Sequence, residues 1–252
     1  MILFLRTIPF LVLLASSVAF WLLFWQRELW GVVLTAIAAL ILMAFLAKPR
    51  LRVVEFWAFF GLPTLFFLSS LATVFYLQSA SAAMLLATAV GIILFVFLER
   101  VFFYVHAPAL HRAYALEYLS VLMALLTIFF LSVALLGLRL FVLTPSVYLV
   151  CAFALLSFAL SYLALWASKF EIQSVRLFSF AFALLLAQGF LVVLFLPTEF
   201  YTGGAFLALA FYLLFGLSRA HLLHKLDTRV RRRYVVLSIC LFVLLSATAR
   251  WV

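Results

Sequence analysis

Charged residues divide this chain into long apolar runs that define its architecture. Runs without Asp, Glu, Lys or Arg cover residues 7–26, 29–47, 56–98, 118–138, 140–168, 177–198, 200–218 and 234–249. Because a transmembrane helix needs about 20 apolar residues, most runs match one crossing of a bilayer. The run at 56–98 has 43 residues and splits at Gln78-Ser79 into two helices. The pattern predicts nine transmembrane helices.

The predicted fold is an all-α, polytopic transmembrane helical bundle, with residues 1–252 forming a single integral membrane domain. The predicted spans are about 7–26, 29–47, 56–77, 80–98, 118–138, 146–168, 177–197, 203–218 and 234–249. Two stretches between spans, 99–117 and 219–233, are predicted to lie at the membrane interface. The first contains only a short uncharged run, interrupted by Pro108, which is too short to cross a bilayer.

Composition narrows the function classes. The chain is 71% hydrophobic and only 10% charged, whereas a soluble domain carries about 25% charged residues. Nine spans use most of the 252 residues, so little chain remains for anything outside the bilayer. The composition therefore excludes a sizeable extramembrane domain, a Rossmann-type or P-loop nucleotide fold and a nucleic-acid reader.

The distribution of basic residues predicts the orientation, because Lys and Arg concentrate in cytoplasmic loops. With nine spans, 14 of the 17 basic residues fall on the side of Arg6 and 3 on the other. This split predicts an N-in, C-out protein of the cytoplasmic (inner) membrane. Insertion bias and anionic headgroups explain the net charge of +10 without a nucleic-acid partner. As an alternative, Ser17-Val18-Ala19 resembles a signal-peptide cleavage site, and cleavage there leaves eight spans.

Small and polar residues within the spans predict helix packing. Ser79, Ala83, Ala87 and Gly91 recur every four residues, a spacing that allows another helix to approach closely. Gln188 is the strongest polar residue near the centre of a span and is predicted to form an interhelical hydrogen bond. Outside the spans, Pro197 to Gly204 is the most turn-rich of the predicted outer loops.

All four histidines fall on the predicted cytoplasmic side. His106 and His111, with Glu99 or Glu117 as partner, are the candidate catalytic residues of an enzyme that uses acid–base chemistry on lipid headgroups. His221 and His224 are three residues apart, a spacing that places both imidazoles on one helical face, and are candidate metal ligands. The alternative is an ordinary polar interface with Glu–Arg pairs. No motif indicates a cofactor.

The last inner loop has the pattern of an amphipathic helix. Leu222, Leu223, Leu226 and Val230 follow helical spacing, and basic residues occupy the other positions. This pattern predicts an element in the headgroup plane that anchors the protein to anionic lipids or docks an acidic partner. Its basic residues are Arg219, Lys225, Arg229, Arg231, Arg232 and Arg233.

Three functions fit these patterns. The first is a non-enzymatic, membrane-embedded assembly or interaction component with a protein partner or a second copy of the chain. The second is an enzyme acting on lipid-linked or headgroup substrates at the cytoplasmic interface. The third is an uncoupled carrier of a lipid-like or apolar solute, because no span holds an ionisable residue near its centre, where ion-coupled transporters bind their ions.

Overall fold

A computed structural model describes residues 2–26, 28–47, 53–107 and 115–249, and their regular structure is helical. The all-α prediction is therefore confirmed. The helices are α1 (Ile2–Trp21), which continues into a π-helical turn at Leu22–Gln26, α2 (Leu29–Ala47), α3 (Val53–Val74), α4 (Ala80–His106), α5 (Ala115–Phe141), α6 (Ser146–Ala167), α7 (Ile172–Phe195), α8 (Phe200–Leu222) and α9 (Thr228–Thr248).

Eight of these helices, α1 to α8, are long and apolar enough to cross a membrane. The protein is thus a multi-pass membrane-type helical protein. Helix α9 differs because four arginines lie in its first six residues. Its remaining part, 234–248, has 15 residues, or about 22 Å at 1.5 Å per residue, against a hydrocarbon core of about 30 Å. A crossing by α9 therefore requires its arginine side chains to extend to the headgroups. Nine crossings and the N-in, C-out orientation stay predictions.

Contacts divide the chain into two compact units, Met1–Met123 and Ala124–Val252. In the first unit, α1 packs against α2 and α4, and α3 packs against α4. In the second unit, α6 packs against α7, α7 against α8, and α8 against α9. The prediction of a single domain over 1–252 stays a prediction.

Several hydroxyl groups within the helices are bonded to their own backbone. Ser16 Oγ donates to the Leu13 carbonyl at 2.9 Å, Ser70 Oγ to the Phe67 carbonyl at 2.7 Å, and Ser161 Oγ to the Ser157 carbonyl at 2.7 Å. An unbonded hydroxyl in an apolar environment costs several kcal/mol, and these bonds remove that cost locally. The serines that make these bonds can therefore be accommodated without a polar pathway through the bundle.

Helix α8 begins earlier than the sequence predicts and uses two glycines for close packing. Gly203 and Gly204, predicted at the start of a span after a turn-rich loop, lie in the first turns of α8, which starts at Phe200. A Cβ on Gly204 would lie 2.7 Å from Val133 Cγ2 and 3.2 Å from the Phe129 carbonyl oxygen of α5. A Cβ on Gly203 would lie 2.6 Å from Val193 Cγ1 of α7. The missing side chains let α8 approach both helices.

Candidate functional site

The facing ends of α1 and α4 form a cleft of about 510 Å³. Arg6 of α1 and Glu99 of α4 both line it, on the side of the chain predicted to be cytoplasmic. Most of the remaining wall is aromatic and comes from Phe10, Phe95, Phe102 and Phe103. Among the described residues that line it, the cleft therefore combines one positive charge, one negative charge and an apolar wall.

His106 continues the cleft-lining face of α4. Residues 99, 102, 103 and 106 follow the three- and four-residue spacing that places side chains on one helical face. The His106 ring stacks on Phe102, with ring centroids 5.1 Å apart and planes inclined by 14°. Its two ring nitrogens are buried. Two of the four predicted catalytic residues, Glu99 and His106, thus share one face of α4.

Neither of the other two predicted catalytic residues is among the described residues that line the cleft. His111 lies outside the described residues. Glu117 is half-buried in the first turn of α5. Among the residues that the structure describes, no group of three or more His, Cys, Asp or Glu side chains could hold a metal ion. The catalytic role of these residues stays a prediction.

The predicted shared face of His221 and His224 is not formed, because α8 ends between them at Leu222. His221 remains in the last turn, where its ring lies 6.1 Å from that of Phe178. His224 has left the helix and adopts a left-handed φ of 53°. The backbone N–H groups of His224 and Lys225 donate to the carbonyls of His221 and Ala220, both at 2.9 Å. These two bonds close the helix terminus.

The stretch 219–233 is likewise not one continuous helix. After α8 ends, five residues form a turn, and α9 begins at Thr228. Asp227 caps α9, since its Oδ1 accepts from the Thr228 backbone N–H at 2.6 Å and from Thr228 Oγ1 at 3.1 Å. Such a cap satisfies one of the N–H groups that a helix start leaves unbonded. The acidic residue in this stretch is thereby engaged in starting α9.

The break divides the predicted basic residues into two groups. Arg219 belongs to the last turn of α8 and is half-buried. The other five side chains are exposed, and we call them the basic cluster: Lys225, Arg229, Arg231, Arg232 and Arg233. A groove of about 430 Å³ runs along three of these arginines. The basic cluster therefore provides a positively charged, open surface at the start of α9.

The predicted packing stripe on α4 lies only partly against another helix. Ser79 precedes α4 and is exposed, whereas Ala83 and Gly91 are buried. A Cβ on Gly91 would lie 3.8 Å from Leu13 Cγ and from Ser17 Oγ of α1, which is ordinary contact. Ala83 and Ala87 instead line a second cleft of about 200 Å³ toward Trp21 and Trp25. The helices touch at Gly91, between the two clefts.

Gln188 occupies an unexpected surface. It is exposed on α7, and so are Leu184, Leu185, Leu191 and Val192 around it. The sequence does not predict this exposure, because sequence position determines depth in the bilayer but not the direction in which an almost uniformly apolar helix turns. The predicted interhelical hydrogen bond of Gln188 stays a prediction.

Sequence reasoning missed that Arg6 and Glu99, which are far apart along the chain, line the same cleft. The only local signal is that both are charged residues beside predicted spans. Comparisons with family models, with curated proteins and with solved structures find no match for the chain. Three features of the structure indicate a function: the α1–α4 cleft, the basic cluster and the exposed face around Gln188.

Proposed function

We propose that this protein is a non-enzymatic, membrane-embedded assembly component that associates with a second copy of itself through the exposed face of α7. The supporting observation is Gln188, an exposed amide surrounded by exposed leucine and valine side chains. In the predicted span 177–197 it lies near the centre of the bilayer. A primary amide at that depth has no water to bond to, and a second copy of the chain can supply the missing partner.

Energetics favour a covered amide. A glutamine side chain has two donors and two acceptor lone pairs, and an unbonded amide in an alkane-like medium costs about 4–8 kcal/mol relative to water. Two copies related by a two-fold axis bring the same residue face to face. Each Gln188 can then donate one N–H to the carbonyl oxygen of the other. Because the amide contains both groups, no residue of another type is required.

The basic cluster has a supporting role in this proposal. Each Lys or Arg near an anionic bilayer surface contributes about 1 kcal/mol of attraction, and all five side chains of the cluster are exposed. We assign to it the anchoring of the start of α9 to anionic headgroups on the cytoplasmic side. This anchoring would hold the short apolar part of α9 at a defined depth.

Replacing Gln188 with leucine tests the proposal. Interhelical hydrogen bonds in membranes are worth about 0.6–2 kcal/mol each, so losing two should weaken self-association by roughly ten- to a thousandfold. We expect wild-type protein in mild detergent to have a dimeric or larger mass by native mass spectrometry, and Gln188→Leu to be monomeric at the same concentration.

The matched control is Gln173→Leu, the same substitution in the first turn of α7, where Gln173 is exposed outside the predicted span. Water satisfies an amide at headgroup depth, so this variant should retain the wild-type mass. A monomeric wild-type protein in both detergent and lipid nanodiscs would contradict the proposal. So would a Gln188→Leu variant that self-associates as strongly as wild type.

A further inference from the structure

We infer that the cleft between α1 and α4 is a binding site for a phospholipid with a zwitterionic headgroup, whose phosphate contacts Arg6 and whose ammonium group contacts Glu99. This inference is independent of self-association through α7. It starts from the two opposite charges on the walls of one cleft.

The chemistry of the two charges selects the headgroup. A guanidinium group presents paired N–H donors that match the oxygens of a phosphate. A carboxylate accepts hydrogen bonds from an ammonium group and repels a second anion. A headgroup with a phosphodiester alone would satisfy Arg6 but leave Glu99 facing negative charge. A phosphodiester followed by a primary ammonium group can pair with both Arg6 and Glu99.

The remaining wall suits acyl chains. Phe10 is 55% exposed at the edge of the cleft, and Phe95, Phe102 and Phe103 line it from α4. Phenylalanine rings offer apolar surface without a competing hydrogen bond. The volume of about 510 Å³ falls in the range of roughly 300–1,000 Å³ typical of ligand pockets. It accommodates a headgroup and the start of the chains, while the rest of each chain remains in the bilayer.

Native mass spectrometry of the full-length protein with defined lipids tests the site. The probes are phosphatidylethanolamine and phosphatidylglycerol with identical acyl chains, added at equal concentrations after delipidation. We expect about tenfold preferential retention of phosphatidylethanolamine. Arg6→Gln should weaken its retention about tenfold, since a hydrogen bond to a charged group is lost. Glu99→Gln should bring the ratio of the two lipids close to one.

Matched controls separate a site from general surface charge. Arg176→Gln and Glu171→Gln remove the same charges from exposed positions at the start of α7 and should leave both the retention of phosphatidylethanolamine and the lipid ratio unchanged. Free phosphoethanolamine should fail to displace the lipid at equal concentration, because it lacks the chains. Equal retention of the two lipids by wild type would overturn the inference. Unchanged retention of phosphatidylethanolamine by Arg6→Gln, an unchanged ratio in Glu99→Gln, or displacement by free phosphoethanolamine would overturn it too.

Discussion

Gly204→Ala is expected to destabilise the protein by about 1–3 kcal/mol, the usual cost of forcing a methyl group into a packed core. The new Cβ would lie 2.7 Å from Val133 Cγ2 and 3.2 Å from the Phe129 carbonyl oxygen. The side chain of Val133 can rotate, but the backbone carbonyl cannot move without shifting α5. The variant should therefore lose its folded, monodisperse fraction at a lower temperature than wild type when heated in detergent.

The predicted loss of stability in Gly204→Ala is opposite to the usual effect of this substitution. Replacing glycine with alanine in the middle of a helix ordinarily stabilises it by roughly 0.5–1 kcal/mol. Gly91→Ala is the matched control, because its Cβ would meet nothing nearer than 3.8 Å, and it should be neutral or stabilising. A Gly204→Ala variant as thermostable as Gly91→Ala would show that α8 does not approach α5 as the structure describes.

Gly216→Ala is expected to displace the start of α9 from α8. The Tyr234 ring occupies the space beside Gly216, with Cδ1 2.7 Å and Cζ 2.9 Å from the position of an added Cβ. The same ring packs on Tyr212, with centroids 5.6 Å apart, so its movement disturbs a second contact. Ser238 is the buried residue of α9 in the described structure, and little other burial holds this helix in place.

Hydrogen–deuterium exchange in detergent measures this displacement. The amides of the first turns of α9 should exchange faster in Gly216→Ala than in wild type, and those of α6 should not change. A second substitution gives a stringent control, because Tyr234→Ala removes the ring that the new methyl group strikes. In a double-mutant cycle, the two changes together should therefore destabilise less than the sum of each alone. Strict additivity would contradict the described contact.

The sequence predicts the helices of this protein well, because their causes are local. Apolar runs interrupted by charge are enough to predict α1 to α8, and the arginines at 231–233 mark the polar start of α9. The contacts between helices depend on partners far away in sequence. Gly203-Gly204 has the composition of a turn, yet only the positions of α5 and α7 show why both side chains are absent.

The candidate site was predictable in part. Glu99 and His106 stand out as polar residues beside an apolar span, and their seven-residue spacing places them on one face of α4. Arg6 resembles an ordinary topology signal until the structure brings it to the same cleft as Glu99. For Gln188, the sequence predicts one property and not another. Its depth follows from the sequence, but its exposure depends on how α7 turns against α6 and α8, which almost uniform hydrophobicity does not determine.

The number of membrane crossings and the orientation of the chain determine the depth of Gln188. They also determine which compartment the basic cluster and the α1–α4 cleft face. Single cysteines at Thr144, Lys225 or Ala249, after the free Cys151 and Cys240 are replaced with serine, can be treated with a membrane-impermeant thiol reagent. We predict labelling of Thr144→Cys and Ala249→Cys in intact cells, and labelling of Lys225→Cys only after permeabilisation. Labelling of Lys225→Cys and Ala249→Cys from the same side would contradict nine crossings, and labelling of Lys225→Cys alone in intact cells would reverse the orientation.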